Sequence, residues 1–216
     1  MKSYVRIIGG DWKRALLPVR SLPGVRPTPA RVRETVFNCL GQRLRGCTCL
    51  DLFAGSGALG FEAASRGAAR VTLVEQHPRL VRQLRQNQAK LNARTVEIVH
   101  SGALQFLTTC ASERFDIVFV DPPFDSGLIE RVLPLCCTRM HTDGVIYIES
   151  PKMLRPFDPN LFGNWRIHRQ GRAGAVHYAL LRRNQGIEMI ETSLRNEKKY
   201  DHRSLPRHIR SIDARP

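Results

Sequence analysis

The sequence predicts an α/β fold: a mostly parallel sheet with helices on both faces, ending in an antiparallel hairpin. Three observations predict it. Short apolar runs alternate with helical periods between residues 47 and 150, and strands separated by helices pair in parallel. Glycine, aspartate and proline cluster where individual runs end, the place where such sheets carry their ligand loops. After residue 160 the helical spacers stop, and two apolar runs flank Gly171-Arg172-Ala173-Gly174, a hairpin pattern.

Val5 to Val19, with Gly9-Gly10 between apolar stretches, reads as a small hairpin. Thr28-Pro29 opens a helix to about Leu40, with Thr28 as cap and Pro29 as first helical residue. Thr48 to Phe53 is a short buried strand that runs into glycines. Ala58 to Arg66 is helical, and Gly67 stands where a helix C-terminus wants it. Val71 to Glu75 is the next strand, and Pro78 opens a polar helix through Asn92 with Leu80, Leu84 and Leu91 on one face. Thr95 to Val99 is a strand and Ala103 to Cys110 a short helix. Phe115 to Val120 is the most apolar strand of the set. Ser126 to Cys137 reads as helix despite Pro134, and Val145 to Glu149 as strand. Trp165 to Arg169 and Ala175 to Leu181 form the closing hairpin. The chain therefore divides into a basic N-terminal hairpin and helix (1–46), a core (47–185) and a polar tail (186–216) expected to be disordered.

With 42% hydrophobic residues, the 216-residue chain has enough apolar material for a real core, which excludes global disorder. No run of eighteen apolar residues exists, so no transmembrane helix is expected, and Met1 to Arg6 has no secretory apolar stretch. The six cysteines lack zinc or disulfide spacing and read as reduced thiols in a cytoplasmic protein, with no metal. The net charge is +15, and its distribution is uneven: +8 over residues 1–46, −1 over 47–150, +6 over 151–186 and +2 beyond. A near-neutral middle between basic flanks points to a catalytic core with a polyanion-binding surface.

Asp51-Leu52-Phe53-Ala54-Gly55-Ser56-Gly57-Ala58-Leu59-Gly60 joins the first core strand to its helix. Glycines there let the backbone approach a ligand and leave helix N–H groups free. Gly55 to Gly60 spells G-x-G-x-x-G, by itself a weak dinucleotide signature. Asp51 would repel a pyrophosphate and suits a cationic amine. Glu75, ending the next strand, can accept both ribose hydroxyls of an adenosine-containing ligand. Both fit S-adenosylmethionine, which has a ribose, an ammonium and a sulfonium but no phosphate. Phe53, Ala54, Gly55, Ser56 and Gly57 would line this cofactor. Ser101-Gly102-Ala103 lies where an adenine would rest, with backbone contacts from Gly102 and Ala103.

Asp121-Pro122-Pro123-Phe124 follows the fourth core strand and should face the same crevice. Two prolines remove two N–H donors, leaving carbonyls and the Asp121 carboxylate as acceptors for a planar –NH₂ group. Such an amine is a poor nucleophile because its lone pair is delocalised. Bonds to Asp121 and the Pro122 carbonyl would aim that lone pair, and Phe124 could stack on a flipped base.

Asp51 to Gly60, Glu75 and Asp121 to Phe124 look like motifs of class I, Rossmann-like, SAM-dependent methyltransferases acting on exocyclic or amide nitrogens. Arg6-Ile7-Ile8-Gly9-Gly10 with Trp12, Arg26-Pro27-Thr28, Arg31-Val32-Arg33-Glu34-Thr35 and Phe37-Asn38 extend the match. Over roughly residues 5–183 the chain resembles the bacterial 16S rRNA guanine-N2 methyltransferases. The resemblance implies a seven-stranded sheet, a monomer, and methylation of a guanine N2 in 16S rRNA within the 30S subunit or a late assembly intermediate. It also implies that Asp121 to Phe124 hold the guanine, that residues 47–185 are the methyltransferase core, and that Arg26, Thr28, Arg31 and Arg33 border the active site or meet RNA. Family members often carry a polar residue where Gly102 stands. The competing readings are an adenine-N6 methyltransferase of DNA or RNA, a protein-glutamine methyltransferase, an NAD-dependent dehydrogenase, and a non-catalytic RNA-binding protein on the same fold.

Overall fold

Alternating strands and helices resolve into one large sheet and one small one in a computed structural model, which describes residues 3–19, 28–110, 114–123, 126–154, 163–174 and 176–184. β1 (Ser3–Arg6) and β2 (Leu16–Val19) pair antiparallel as a separate hairpin, followed by α1 (Ala30–Leu40). The seven-stranded sheet comprises β3 (Thr48–Asp51), β4 (Arg70–Glu75), β5 (Val96–His100), β6 (Phe115–Val120), β7 (Met140–Ser150), β8 (Trp165–Ala173) and β9 (Val176–Arg183). Their order is β5-β4-β3-β6-β7-β9-β8; β5 through β7 run parallel, and β9 is antiparallel to both neighbours. The crossovers are filled by α2 (Ala58–Ser65), α3 (Pro78–Leu91), α4 (Ala103–Thr109) and α5 (Leu128–Thr138). From β3 the chain steps outward through β4 to β5, then returns to β6 on the other side of β3. The strand order therefore reverses between β3 and β6, where open α/β sheets place their ligand crevice.

Strand alternation divides the core between the two faces. Cys49, Phe119 and Tyr147 join Val36 and Phe37 of α1, Phe61 of α2 and Leu84 of α3 on one face. Leu50, Val118 and Ile146 pack with Phe106 and Leu107 of α4 and Val132 and Leu133 of α5 on the other. The N-terminal hairpin contributes Val5, Ile7 and Leu17 to the first of these cores. No helix among the described residues is long and apolar enough to cross a membrane.

Several boundaries differ from expectation for identifiable reasons. β7 starts at Met140 rather than Val145, because its early residues His141, Thr142 and Asp143 are exposed and carry no apolar signal. The closing hairpin keeps Gly171 to Ala173 inside β8. A Cβ at Gly171 would stand 2.7 Å from the Tyr178 hydroxyl, so this glycine serves a cross-strand approach, while Gly174 (φ +65°) makes the turn. Thr28 does not cap α1: its hydroxyl donates to Asp121, and the N-cap residue is Pro29, whose side chain has no acceptor for a cap bond. Arg26, Phe124 and the tail 186–216 lie outside the described residues.

Candidate active site

A cleft of about 730 Å³ opens at the carboxyl ends of β3, β4, β5 and β6, over the reversal of strand order. Its lining includes Gly55 and Ser56 of the glycine turn, Asp51, Phe53, Ala54, Glu75, Gly102, Ala103, Asp121, Pro122 and Pro123, together with Thr28 from the N-terminal segment, whereas Gly57 faces Phe61 and Leu84 of the core. The two motifs read separately from the sequence thus share one crevice.

The glycine turn is built by sterics. Gly55 (φ +51°) and Gly57 (φ +77°) take the left-handed backbone that β-carbons resist. The third glycine is needed for packing: a Cβ on Gly60 would fall 2.1 Å from Leu73 Cδ2 and 3.2 Å from Asp51 Oδ2. That close approach lets the Gly60 amide donate to Asp51 Oδ2 at 3.0 Å. Asp51 is only 2% exposed, and burial outweighs this bond, with Asp121 and Glu75 adding repulsion, so its pKa is pushed up to about 7. Glu75 accepts the Gly55 amide on Oε2 at 2.9 Å and the His77 amide on Oε1 at 2.7 Å. It therefore staples the turn while its remaining lone pairs face the cleft. Gly102 precedes α4 with ordinary backbone angles, and a Cβ there would meet only Gln76 Oε1, at 3.9 Å. A larger residue therefore fits at 102.

These features suit a nucleoside-bearing cation. Acids stand at two strand ends, backbone amides at the turn, and Phe53, Leu59, Leu80 and Leu104 supply apolar walls. The combination would hold an ammonium, a ribose and a purine, and it disfavours a pyrophosphate.

Asp121 is half-buried at the end of β6, and desolvation raises its pKa while the Thr28 hydroxyl, donating to Oδ2 at 3.3 Å, pulls the other way. Pro122 is buried and Pro123 exposed, so the acceptor-only corner turns at the cleft's mouth.

The basic residues of the N-terminal segment separate into two kinds. Arg31 is exposed. Arg33 is 2% exposed, and an RNA contact by its guanidinium is excluded by what surrounds it. Its Nη1 pairs with Glu62 at 3.2 Å, Nη2 donates to the Arg6 carbonyl at 2.9 Å, and Nε donates to the Thr28 carbonyl at 3.2 Å. Glu62, fully buried on α2, also accepts the Ile8 and Gly9 amides at 2.8 Å each and pairs with Arg66 at 2.9 Å. Arg33 thus ties the hairpin, α2 and the backbone of Thr28 together. Sequence reasoning missed this because a buried arginine and a solvated one look alike until their partner, 29 residues away, is placed.

The chain matches the family described as conserved hypothetical protein 95 over residues 5–182. It is 44% identical to ribosomal RNA small subunit methyltransferase D of Escherichia coli (strain K12) over 181 residues, covering 83% of this chain and 90% of that protein. The chain belongs to the ribosomal RNA small subunit methyltransferase D family. The member from Haemophilus influenzae is 39% identical, over 83% of this chain and 94% of that one. A solved structure from Escherichia coli superposes with a TM-score of 0.73 at 44% identity, covering 84% of this chain and 98% of that chain. A solved structure from Haemophilus influenzae gives a TM-score of 0.70 at 35% identity, covering 84% and 99%. Membership in the methyltransferase D family agrees with the motif resemblance and removes the dehydrogenase reading. Glu149, absent from the motifs, is an unforeseen buried acid next to the site. It is the last residue but one of β7, and an acid near the carboxyl end of a core strand was the signal available in the sequence.

Proposed function

We propose that this chain transfers a methyl group from S-adenosylmethionine to the exocyclic N2 of a guanine in 16S rRNA, acting as a monomer on the 30S subunit or a late assembly intermediate. One observation carries the reading. Asp121 and two prolines form an acceptor-only corner in the same cleft as the glycine turn, Asp51 and Glu75. The names of the relatives support small-subunit rRNA as the substrate class. Guanine N2 is favoured by the sequence resemblance.

S-adenosylmethionine, when bound, supplies an electrophilic methyl group on a sulfonium. Asp51 would pair with its ammonium, Glu75 would accept the ribose hydroxyls, and Phe53, Ala54, Gly55, Ser56, Gly102 and Ala103 would wall it in, with Gly57 shaping the turn. Asp121 and the Pro122 carbonyl accept the two N–H groups of the target amine, which turns its lone pair away from the ring. The nitrogen that gains a methyl must lose a proton, and Asp121 is the acceptor beside it. Phe124 is assigned the face of the flipped base. RNA affinity is assigned to exposed cations of the N-terminal segment, Arg31, Lys13, Arg43 and Arg45 among them, and, by the sequence resemblance, to Arg26.

The test uses methyl-labelled S-adenosylmethionine with 30S subunits lacking the modification, and with free 16S rRNA, tRNA and duplex DNA in parallel. N2-methylguanosine from 30S, lost in Asp121→Ala, is expected. N6-methyladenine from any of these substrates would overturn the guanine assignment, and label in DNA alone would overturn the rRNA one.

A further inference from the structure

Glu149 sits directly behind Asp121. β6 and β7 are parallel with Val120 opposite Ile148, which puts Asp121 and Glu149 side by side one step further on. Both continue the row of Phe119 and Tyr147, so their side chains leave the same face of the sheet. Glu149 is 2% exposed and does not line the cleft. Its Oε1 accepts the Tyr147 hydroxyl at 3.0 Å, while the Thr28 hydroxyl close by donates to Asp121 Oδ2. The groups facing Glu149 are Asp121 after β6, Asp51 from β3, Tyr147 on its own strand and Tyr178 opposite it on β9. Among the described residues no salt bridge reaches it, and no three acidic, histidine or cysteine side chains are placed to share a metal ion.

A hydroxyl has one proton, and that of Thr28 goes to Asp121. If Glu149 is a carboxylic acid, a neutral group stands beside the Asp121 carboxylate. If Glu149 is ionised, a buried anion stands beside the half-buried Asp121 carboxylate with no salt bridge to either among the described residues, and that arrangement is the costly one. We propose that Glu149 is a positioning residue for Asp121, the two adjacent carboxyl groups holding one proton between them, with the proton on Glu149 and the charge on Asp121. Burial raises both groups, Glu149 more than Asp121, in agreement with that assignment. The effect is to reserve Asp121 as the acceptor for the target amine, with a neutral acid rather than a second anion behind it. This inference rests on the proposed methylation only for its kinetic consequence.

Two measurements test it on the full chain. In infrared spectra of protein labelled with ¹³C on glutamate carboxyl groups, a protonated-acid C=O band is expected at pH 7 that vanishes in Glu149→Gln. Absence of that band in the unsubstituted protein overturns the proposal whatever reaction the enzyme performs. In the methylation assay, Glu149→Ala is expected to lower kcat at least tenfold. Glu149→Gln, the isostere of the protonated acid, is expected to restore most of that loss near neutral pH and to remove the fall in kcat on the alkaline side. A glutamine variant that melts like the unsubstituted protein yet is no more active than the alanine variant overturns it as well. If no substrate is methylated by the unsubstituted protein, the proposed function fails, and the infrared band still decides the proton's place.

Discussion

The Thr28 hydroxyl donates to Asp121 Oδ2 across 3.3 Å, joining residues 93 apart in the chain. Thr28 is itself held through its carbonyl by Arg33, and Arg33 by Glu62. A buried ion pair beneath the N-terminal hairpin is thereby coupled to the carboxylate at the mouth of the cleft.

Removing that hydroxyl should be felt in catalysis. A hydrogen bond to a charged group contributes about 1.5–3 kcal/mol, so Thr28→Val should lower kcat by roughly tenfold or more, and Thr28→Ser should recover most of it. Because the bond holds the Asp121 pKa down, the acid limb of the pH–rate profile should also move upward in Thr28→Val. Steady-state kinetics across pH check both.

Desolvation raises the pKa of Asp121, and in the proposed reaction its ionised form is the competent one. Activity should therefore fall as pH drops through that raised value, earlier than an ordinary carboxylate would dictate. Asp121→Asn should lose this limb together with most of kcat while binding cofactor normally, as titration calorimetry would show.

Asp51 ties cofactor affinity to pH. With its pKa near 7 in the free protein, the group must release its proton to pair with an ammonium. Affinity for S-adenosylmethionine should rise with pH up to about 7 and then level, with proton release visible as a buffer-dependent heat of binding. The same group makes the free protein less stable as pH rises from its ordinary carboxylate range to about 7, since the folded state binds more protons there than the unfolded one. Asp51→Asn should abolish both dependences.

Arg31 and Arg33 should separate cleanly. Arg31 is exposed, so Arg31→Glu should weaken RNA binding and shallow its salt dependence by about one unit for each phosphate left unneutralised, leaving the melting curve unchanged. Arg33→Ala leaves Glu62 paired with Arg66 but removes one of its ion pairs and the donors to the Arg6 and Thr28 carbonyls, and should cost about 1–3 kcal/mol of stability by denaturant unfolding.

Gly60→Ala should cost about 1–3 kcal/mol, because the added methyl meets Leu73 and the overpacked helix must shift away from Asp51. Chemical denaturation measures the stability loss, and cofactor titration should show weaker binding alongside it.

The glycine turn was legible in the sequence because it is contiguous: ten residues from Asp51 to Gly60 carry the strand end, the left-handed glycines and the packing glycine. The same is true of Asp121 to Pro123. Thr28 was legible as a residue of interest and misread as a helix cap, since a Thr-Pro pair before a helix satisfies the local rule and nothing local reveals a competing acceptor. Arg33 was misread for the complementary reason. Its charge suggested solvent, and only the fold supplies the buried Glu62 that makes an interior guanidinium tolerable.

The sequence by itself determined the periodicities, and with them the parallel sheet, the antiparallel finish and the two loops that meet at the reversal of strand order. Those features follow from the pleat, from helical spacing and from backbone limits at glycine and proline, all of which act over a few residues. Only the tertiary structure decided which charges are paired, which are exposed and which acids face one another. Asp51, Asp121 and Glu149 come from three separate strands, and their protonation is set by desolvation and by each other's fields. Those quantities exist only after the strands have been laid side by side.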